Sequence, residues 1–359
     1  MRKYNFYAGP AVMPQEVLAE LRDTMVDYKG VGLSLMETSH RSKEYDEVHM
    51  GAMNLISELF SVPKNYKIVF LGGGATLQFG MVPLNFLEEG KSADFVVSGE
   101  WAKKALADAK KVGKTAVVFD GADTKYTTLP DKDDIFHRDA TYAHITSNET
   151  IGGLQWQRWP DTGSVPLIAD MSSDIMSRPV PVEKFGMIYA GAQKNLGPAG
   201  VTVAIIREDL LARCPKTLVT YLNYATHADK DSLYNTPPVF PVYAMMLVLQ
   251  WVKKNGGVAG MMALGRKKAD AIYGAIDGSN GYYTCPVERK NRSVMNIVFK
   301  LRSEELDSKF VKEAEKEGMV GLKGHRDVGG CRASLYNAMT LEGAQALAQF
   351  MKGFAAKNG

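Results

Sequence analysis

Residues 166–206 decide the fold, and they read PLIADMSSDIMSRPVPVEKFGMIYAGAQKNLGPAGVTVAII. Three short apolar runs occur in this stretch, PLIA at 166–169, MIYA at 187–190 and VTVAII at 201–206. Little polar alternation interrupts them, which is typical of strands that are buried on both faces of a sheet. The glycine-rich segment around Lys194 joins the second run to the third, so we expect it to form a loop at the edge of the sheet.

Four further apolar runs precede this stretch, at Lys67–Leu71, Asp94–Ser98, Ala116–Phe119 and Tyr142–Thr146. Helical spacing of apolar residues occurs before or between them, at Gln15–Tyr28, Thr76–Glu88 and Trp101–Lys111. The alternation predicts an α/β fold, in which helices sandwich a mostly parallel, seven-stranded sheet. Ligands of such sheets bind at the carboxyl ends of the strands.

The pattern changes after the pair Gly256-Gly257. Two long helices are predicted around this pair, at Phe240–Lys254 and Gly257–Asp277. Beyond them the chain predicts strand Val294–Lys300, helix Glu304–Glu317, strand Arg332–Tyr336 and helix Leu341–Lys357. Because 359 residues exceed what one hydrophobic core usually serves, we expect a second, smaller α+β domain after the glycine pair.

Composition limits the classes of function. Lys+Arg number 43 and Asp+Glu 40, so the formal net charge of +3 gives no reason to expect nucleic acid as a partner. The three cysteines are widely spaced, which argues against a disulfide framework or a structural zinc site and suits a reducing cytoplasm. The longest apolar stretch, Phe240–Val252, is too short to span a bilayer. We expect a cytoplasmic protein with no metal, nucleic-acid or membrane partner.

The segment LGGGAT at 71–76 lies between a predicted strand and a predicted helix. Glycines let the backbone approach a ligand closely, and the free N–H groups of a helix N-terminus attract an anion. Alone, the segment is equally compatible with a tight strand-to-helix turn. It lacks the Gly-Lys-Ser/Thr of a P-loop and the spacing of the dinucleotide fingerprint, so any phosphate site here is of another kind.

Asp170 and Lys194 each follow a predicted buried strand, so we expect both at one edge of the sheet. A carboxylate beside a pyridine nitrogen keeps that nitrogen protonated, and a protonated ring stabilises a carbanion. A lysine in a confined site can form a Schiff base with a cofactor aldehyde. Singly, the aspartate would ordinarily be a helix cap and the lysine a solvated side chain. The apolar and glycine-rich surroundings of Lys194 favour the chemical role.

Basic residues occur in unusual contexts at His40-Arg41, at His325-Arg326 and at Arg332, which opens the segment RASLYN. A guanidinium group binds a carboxylate or a phosphate through two parallel hydrogen bonds. Each residue alone would ordinarily be a surface charge. Together they predict a site for an anionic substrate that carries more than one charged group.

Over nearly its whole length the chain resembles the phosphoserine aminotransferase family, class V aminotransferases of fold-type I that use pyridoxal 5′-phosphate. The resemblance rests on Asp170 and on NFYAGPA at 5–11, HRS at 40–42, GGGAT at 72–76, NET at 148–150, QKN at 193–195, NTPP at 235–238, GHR at 324–326 and RASLYNA at 332–338. It implies a large cofactor-binding domain at 15–256 and a small domain formed by 1–14 and 257–359. It also implies a homodimer whose active sites lie at the interface.

The resemblance implies a role for individual residues as well. The catalytic residues would be Lys194, which binds the cofactor covalently, Asp170, which pairs with its pyridinium nitrogen, and Trp101, which stacks on its ring. Further cofactor contacts would come from Ala75, Thr76, Thr150 and Gln193, and from Asn235 and Thr236 of a second subunit. The substrate would be bound by His325, Arg326 and Arg332, together with His40 and Arg41 of the second subunit.

The implied activity is a ping-pong transamination through Schiff bases. Glutamate and 3-phosphohydroxypyruvate would give 2-oxoglutarate and phosphoserine, a step of serine biosynthesis, and phosphohydroxythreonine would be a second substrate in pyridoxine biosynthesis. One alternative is another class V enzyme, such as an alanine–glyoxylate aminotransferase or a cysteine desulfurase that uses Cys331. A non-catalytic nucleotide-binding module is a second alternative, and the intact set of Asp170, Lys194, Trp101 and Arg332 argues against it.

Overall fold

The computed structural model describes residues 2–359. Its strands, in chain order, are β1 (Tyr4–Asn5), β2 (Tyr66–Leu71), β3 (Ser92–Val97), β4 (Lys114–Asp120), β5 (Ala143–Thr146), β6 (Asn148–Glu149), β7 (Leu154–Gln155), β8 (Leu167–Asp170), β9 (Phe185–Gly191), β10 (Thr202–Arg207), β11 (Asn296–Phe299), β12 (Met319–Val320) and β13 (Cys331–Ser334). Its α-helices are α1 (Gln15–Asp23), α2 (Lys43–Phe60), α3 (Gly74–Phe86), α4 (Glu100–Val112), α5 (Glu208–Leu211), α6 (Tyr224–Asp229), α7 (Val239–Lys254), α8 (Gly257–Asp277), α9 (Glu304–Lys316) and α10 (Leu341–Asn358).

A seven-stranded sheet in the order β2-β10-β9-β8-β5-β3-β4 forms the centre of the fold. Strand β10 is antiparallel to both of its neighbours, β2 and β9, and the remaining pairs are parallel. The seven apolar runs predicted as strands are the seven strands of this sheet. The predicted α/β class with a mostly parallel sheet is therefore confirmed.

Apart from the edge strand β4, which has no buried residue, the strands of the sheet are largely buried on both faces, which explains why they are mostly apolar. Successive side chains of a strand point to opposite faces. In β10, Val203 and Ile205 belong to one apolar core, whereas Ala204 and Ile206 belong to another. Helices α2 and α7 supply the first core, and α3 and α4 supply the second.

A third apolar core, apart from Phe6, consists of residues between Ala269 and Phe354. The N-terminal arm reaches it because β1 pairs in parallel with β12, with Tyr4 beside Met319. A small domain of residues 1–14 and 257–359, next to a large domain of 15–256, stays our proposal, and this core supports it. Met1 lies outside the described residues. No helix within residues 2–359 is long and apolar enough to cross a membrane.

Two helices near the N-terminus differ from the prediction. Helix α1 ends at Asp23 instead of Tyr28, because the Thr24 hydroxyl bonds back to the carbonyl oxygen of Glu20 and a turn follows, with positive φ at Gly30 and Gly32. Helix α2 was not predicted. Its first turn is capped by the Ser42 hydroxyl, which accepts a hydrogen bond from the Tyr45 N–H.

Candidate active site

A cavity of about 810 Å³ opens at the carboxyl ends of β5 and β8. The loop after β9 and the glycine loop before α3 form part of its wall, and β13 contributes Arg332. Residues 8–10 of the N-terminal arm complete the wall. The arm is fixed there because the Ala11 N–H donates to the Gln193 carbonyl oxygen at 2.8 Å and the Tyr336 hydroxyl donates to that of Ala8 at 2.7 Å.

Most of the residues predicted for the site line this cavity, namely Ala75, Thr76, Trp101, Thr150, Asp170, Gln193, Lys194, His325, Arg326 and Arg332. Asn235 and Thr236 line a neighbouring cavity of about 260 Å³ instead. His40 and Arg41 line neither cavity, and Arg41 is exposed in the loop before α2. One chain thus brings together the residues predicted to act within it and leaves apart those predicted to act in a second subunit.

Lys194 lies in the loop after β9, where its Nζ atom donates a hydrogen bond to the Thr150 Oγ1 atom at 2.6 Å. The same Nζ atom is 5.5 Å from the centre of the Trp101 ring. Burial lowers the pKa of Lys194 to about 8, although the nearby carboxylates of Asp170 and Glu149 oppose this change. An appreciable fraction of the amine is therefore neutral near pH 7, as a nucleophile or a general base requires.

Asp170 is the last residue of β8 and is 4% exposed. Its Oδ1 atom accepts a hydrogen bond from the Ser172 N–H at 2.8 Å. Burial raises the pKa of Asp170, although this hydrogen bond and Lys194 both favour the charged form. A carboxylate that is buried away from solvent needs a cationic partner, and a protonated ring nitrogen would be one.

Trp101 forms another wall of the cavity at the start of α4. Its Nε1 atom is buried and has no hydrogen-bond partner among residues 2–359. The Lys104 Nζ atom lies 4.4 Å from the ring centre. Because Trp101 lines the cavity, its indole ring offers an aromatic surface against which a planar ligand could stack.

Glu149, to which the sequence analysis gave no role, lies directly behind Trp101. It is 1% exposed, and its carboxylate accepts hydrogen bonds from the backbone N–H groups of Trp101 at 3.2 Å and Ala102 at 3.0 Å. Burial raises the pKa of Glu149 to about 7, although these two hydrogen bonds favour its charged form. Its position immediately before Thr150 was the clue that the sequence offered.

The basic residues lie at different depths. Arg332 is largely buried, its Nη1 atom is 3.5 Å from the Thr150 carbonyl oxygen, and its Nε atom has no partner within the described chain. Burial lowers the pKa of Arg332. His325 and Arg326 instead contact Asp327, at 3.2 and 3.4 Å, and the Arg326 side chain is 91% exposed. The cavity thus offers one guanidinium group inside and a second basic group at its rim.

Comparison with known proteins identifies the family of this chain. The model of the family described as Aminotransferase class-V matches residues 3–347. The chain belongs to the class-V aminotransferase family.

Two solved structures resemble this class-V aminotransferase over its full length. The phosphoserine aminotransferase from Bacillus circulans subsp. alkalophilus is 52% identical, with a TM-score of 0.98 over 100% of this chain and 99% of that one. The PLP-bound phosphoserine aminotransferase from Trichomonas vaginalis is 38% identical, with a TM-score of 0.92 over 98% of this chain and 100% of that one. A phosphoserine aminotransferase from Lysinibacillus sphaericus (strain C3-41) is 52% identical over 358 residues, 99% of each chain.

The residues of this class-V aminotransferase fit pyridoxal 5′-phosphate. An amine, a carboxylate and an indole face meet in one cavity, through Lys194, Asp170 and Trp101. The first turn of α3, which contains Ala75 and Thr76, lines the same cavity and has free N–H groups for a phosphate. The turn into this helix needs Gly73, which has a φ of +80° and lies so close to Leu77 that a Cβ atom would clash.

Proposed function

We propose that this class-V aminotransferase transfers the amino group of glutamate to 3-phosphohydroxypyruvate, giving 2-oxoglutarate and phosphoserine, with pyridoxal 5′-phosphate as cofactor. The observation that carries the proposal is a single cavity in which Lys194, with a pKa lowered to about 8, lies together with Asp170, Arg326 and Arg332. Support also comes from relatives named phosphoserine aminotransferase, which share about half of their residues with this chain.

The cofactor would be oriented by three side chains. When bound, pyridoxal 5′-phosphate supplies a protonated pyridine ring that accepts the electrons of the broken Cα–H bond. Asp170 would accept a hydrogen bond from the ring nitrogen and so keep the proton on that atom. Trp101 would stack on the ring, and Thr150 would hydrogen-bond near the phenolic oxygen. The phosphate would be bound by Ala75, Thr76 and Gln193.

Lys194 would move the proton during the reaction. With glutamate bound beside the cofactor, the neutral Nζ atom of Lys194 would accept the proton that leaves the substrate Cα atom and would donate it again when the transfer is completed. The low pKa of Lys194 provides the neutral amine that this step needs. The hydrogen bond to Thr150 would keep the Nζ atom beside its target.

The basic residues inside the cavity and at its rim suit the two charged ends of the substrate. Arg332 would bind the α-carboxylate, because its buried guanidinium has no carboxylate partner within residues 2–359 and its Nε–H is unpaired there. His325 and Arg326, at the rim, would bind the phosphate group. Because these two residues both contact Asp327, the phosphate there would gain positive charge from His40 and Arg41 of a partner subunit.

A homodimer would place His40, Arg41, Asn235 and Thr236 in the partner's site. These residues do not line the cavity of their own chain, and large apolar side chains from the same part of the sequence as His40 and Arg41 face solvent. Val26, Leu33 and Met36 are 82%, 49% and 51% exposed, and Val31 and Met50 are exposed as well. Exposed apolar patches of this kind mark protein–protein contacts, so a second copy would bury them.

The remaining alternatives are less well supported. A cysteine desulfurase would need a reactive thiol in the cavity, whereas Cys331 is 1% exposed, belongs to the third core, and has its pKa raised by burial. A nucleotide-binding module would not need the amine and carboxylate that Lys194 and Asp170 place in one cavity. We therefore assign the protein to serine biosynthesis in the cytoplasm, and the same phosphate-binding residues would accept phosphohydroxythreonine in pyridoxine biosynthesis.

An absorbance spectrum of the purified protein with pyridoxal 5′-phosphate tests the proposal. We expect a yellow band that bleaches with glutamate and also with phosphoserine, and no such band in Lys194→Ala. A band that bleaches with glutamate but not with phosphoserine would contradict the substrate assignment. The absence of a band from the wild-type protein would contradict the role of Lys194.

A further inference from the structure

Glu149 is a buried carboxylate that the proposed chemistry does not use, and its contacts lie at the entrance of α4. Helix α4 begins at Glu100, and its N-cap residue, Gly99, has no side chain with which to accept a hydrogen bond. The Glu149 carboxylate caps the helix in its place, through the N–H groups of Trp101 and Ala102. A third hydrogen bond comes from the Ser98 hydroxyl at 3.4 Å. The position of the helix start, and with it Trp101, therefore depends on Glu149.

The backbone around Gly99 is shaped to receive this carboxylate. A Cβ atom at residue 99 would lie 2.6 Å from the Glu149 carboxyl carbon, which is closer than real Cβ contacts occur. The φ of Gly99 is 169°, an extended conformation that any residue adopts, so glycine is needed here for space alone. Gly99 and Glu149 thus form one fitted contact behind the Trp101 ring.

The strand that carries Glu149 is itself held firmly and contacts two further groups of the site. The Asn148 amide donates to Ser173 Oγ and to Asn296 Oδ1, both at 2.8 Å. The next residue, Thr150, contacts Lys194 through its hydroxyl and Arg332 through its carbonyl oxygen. The dipeptide Glu149-Thr150 therefore contacts the backbone of Trp101, the amine of Lys194 and the guanidinium of Arg332.

We propose that Glu149 is a positioning residue, which holds the Trp101 ring at the height of Lys194 and thereby sets the affinity of the cavity for a planar aromatic cofactor. The inference rests on the proposed function, because it takes pyridoxal 5′-phosphate as the ligand that stacks on Trp101. Glu149 does not line the cavity, so it would act on the cofactor through Trp101.

A double-mutant cycle with pyridoxamine 5′-phosphate tests the inference. This probe lacks the aldehyde, so it binds without a covalent bond to Lys194, and its Kd is measured by fluorescence titration of the cofactor-free protein. Glu149→Gln keeps the shape but turns an amide N–H toward a backbone N–H, so we expect the Kd to rise about tenfold. In a Trp101→Ala background the same substitution should leave the Kd unchanged, because the ring on which it acts is gone.

Each outcome of the cycle is decisive. A tenfold effect of Glu149→Gln that persists in Trp101→Ala would mean that Glu149 acts on Lys194 or on the cofactor directly, which overturns the inference. No effect of Glu149→Gln on the Kd would also overturn it. Failure of the wild-type protein to bind the probe would instead overturn the proposed function.

Two further variants separate positioning from a general loss of stability. Gly99→Ala would displace the carboxylate from the other side, so it should raise the Kd as Glu149→Gln does, and a wild-type Kd would contradict the inference. Asp307 is the matched control, since it is a buried carboxylate that accepts the Leu301 N–H at 2.8 Å and does not line the cavity. Asp307→Asn should lower the melting temperature and leave the Kd unchanged. An equal rise of the Kd in this control would show that any loosening of the fold weakens binding.

Discussion

The Nζ atom of Lys194 donates to the Oγ1 atom of Thr150 across 2.6 Å, which joins the loop after β9 to the turn after β6. This hydrogen bond fixes the amine between Asp170 and Trp101, in the cavity whose burial lowers its pKa to about 8. The amine is therefore held in place and partly neutral in the protein alone.

Capture of pyridoxal 5′-phosphate by the cofactor-free protein should depend on the titration of Lys194. Only the neutral amine attacks an aldehyde, so the rate constant should rise with pH, level off above about 8 and fall about tenfold for each pH unit below that value. Stopped-flow absorbance between about pH 7 and 10 measures this. A rate constant that keeps rising about tenfold per pH unit up to about pH 10, as an amine with the ordinary lysine pKa of 10.5 would give, would contradict the lowered pKa.

Substituting Asp170 by Asn should slow turnover by about 100-fold or more while leaving the fold intact. The amide is neutral and no longer stabilises a proton on the ring nitrogen, so the negative charge that develops at the substrate Cα atom is less well stabilised. Steady-state kcat is the measurement, and circular dichroism checks the fold. A kcat within about threefold of the wild-type value would remove Asp170 from the mechanism.

The two arginines of the cavity should affect the two amino-acid substrates differently. Arg326→Ala should lower the affinity for phosphoserine by about tenfold or more and leave the affinity for glutamate nearly unchanged, because only phosphoserine carries a phosphate that reaches the rim. Arg332→Ala should lower the affinity for both substrates, since both carry an α-carboxylate. Bleaching of the yellow band at increasing amino-acid concentration gives the two apparent affinities. Equal losses for both substrates in Arg326→Ala would contradict the proposed arrangement.

If the active sites are shared between subunits, two impaired variants should restore each other's activity in a mixed dimer. In a mixed dimer of Lys194→Ala and Arg41→Ala subunits, one site combines the intact Lys194 of one subunit with the intact Arg41 of the other. Mixed dimers should therefore regain about half of the wild-type rate per dimer, although each variant alone is impaired. The subunits are unfolded, refolded together and assayed with phosphoserine. Activity no higher than the average of the two separate variants would show that Arg41 serves its own chain.

Lys268 should matter for stability, although it lies outside the cavity. Its Nζ atom is fully buried in α8 and donates to the carbonyl oxygens of Leu335, Tyr336 and Met339 at 2.8–3.0 Å. Lys268→Met would leave these acceptors without a donor, so we expect a loss of about 3 kcal/mol in the free energy of unfolding. Urea denaturation measures it, with the exposed neighbour Lys267→Met as control. Equal, small changes in the free energy of unfolding of both variants would contradict the proposed role of Lys268 in stability.

The sequence predicted those features that depend on local pattern. Apolar runs identified the seven sheet strands because both faces of the sheet are buried along all of them except the edge strand β4. The residues around Lys194 and Asp170 were singled out because the carboxyl ends of neighbouring strands meet at one edge. Glu149 was missed because its contact with the residues around Gly99 joins positions about fifty residues apart, so its place beside Thr150 was the one local clue and did not indicate that role. Helix α2 was missed although Val48, Ala52 and Ile56 have helical spacing, so there the pattern was present and overlooked.

The pairing of β1 with β12 has a consequence for the order of events during synthesis. Besides the hydrogen bond from Ala11 to Gln193, the arm that carries residues 8–10 is held by contacts with residues near the other end of the chain, because Tyr4 and Asn5 pair with Met319 and Val320 and Ala8 accepts from the Tyr336 hydroxyl. The ribosome must therefore have made more than nine-tenths of the described chain before all of these contacts can form. A nascent polypeptide has no complete cofactor pocket, and so the vitamin-derived ligand can be enclosed only once translation is nearly finished.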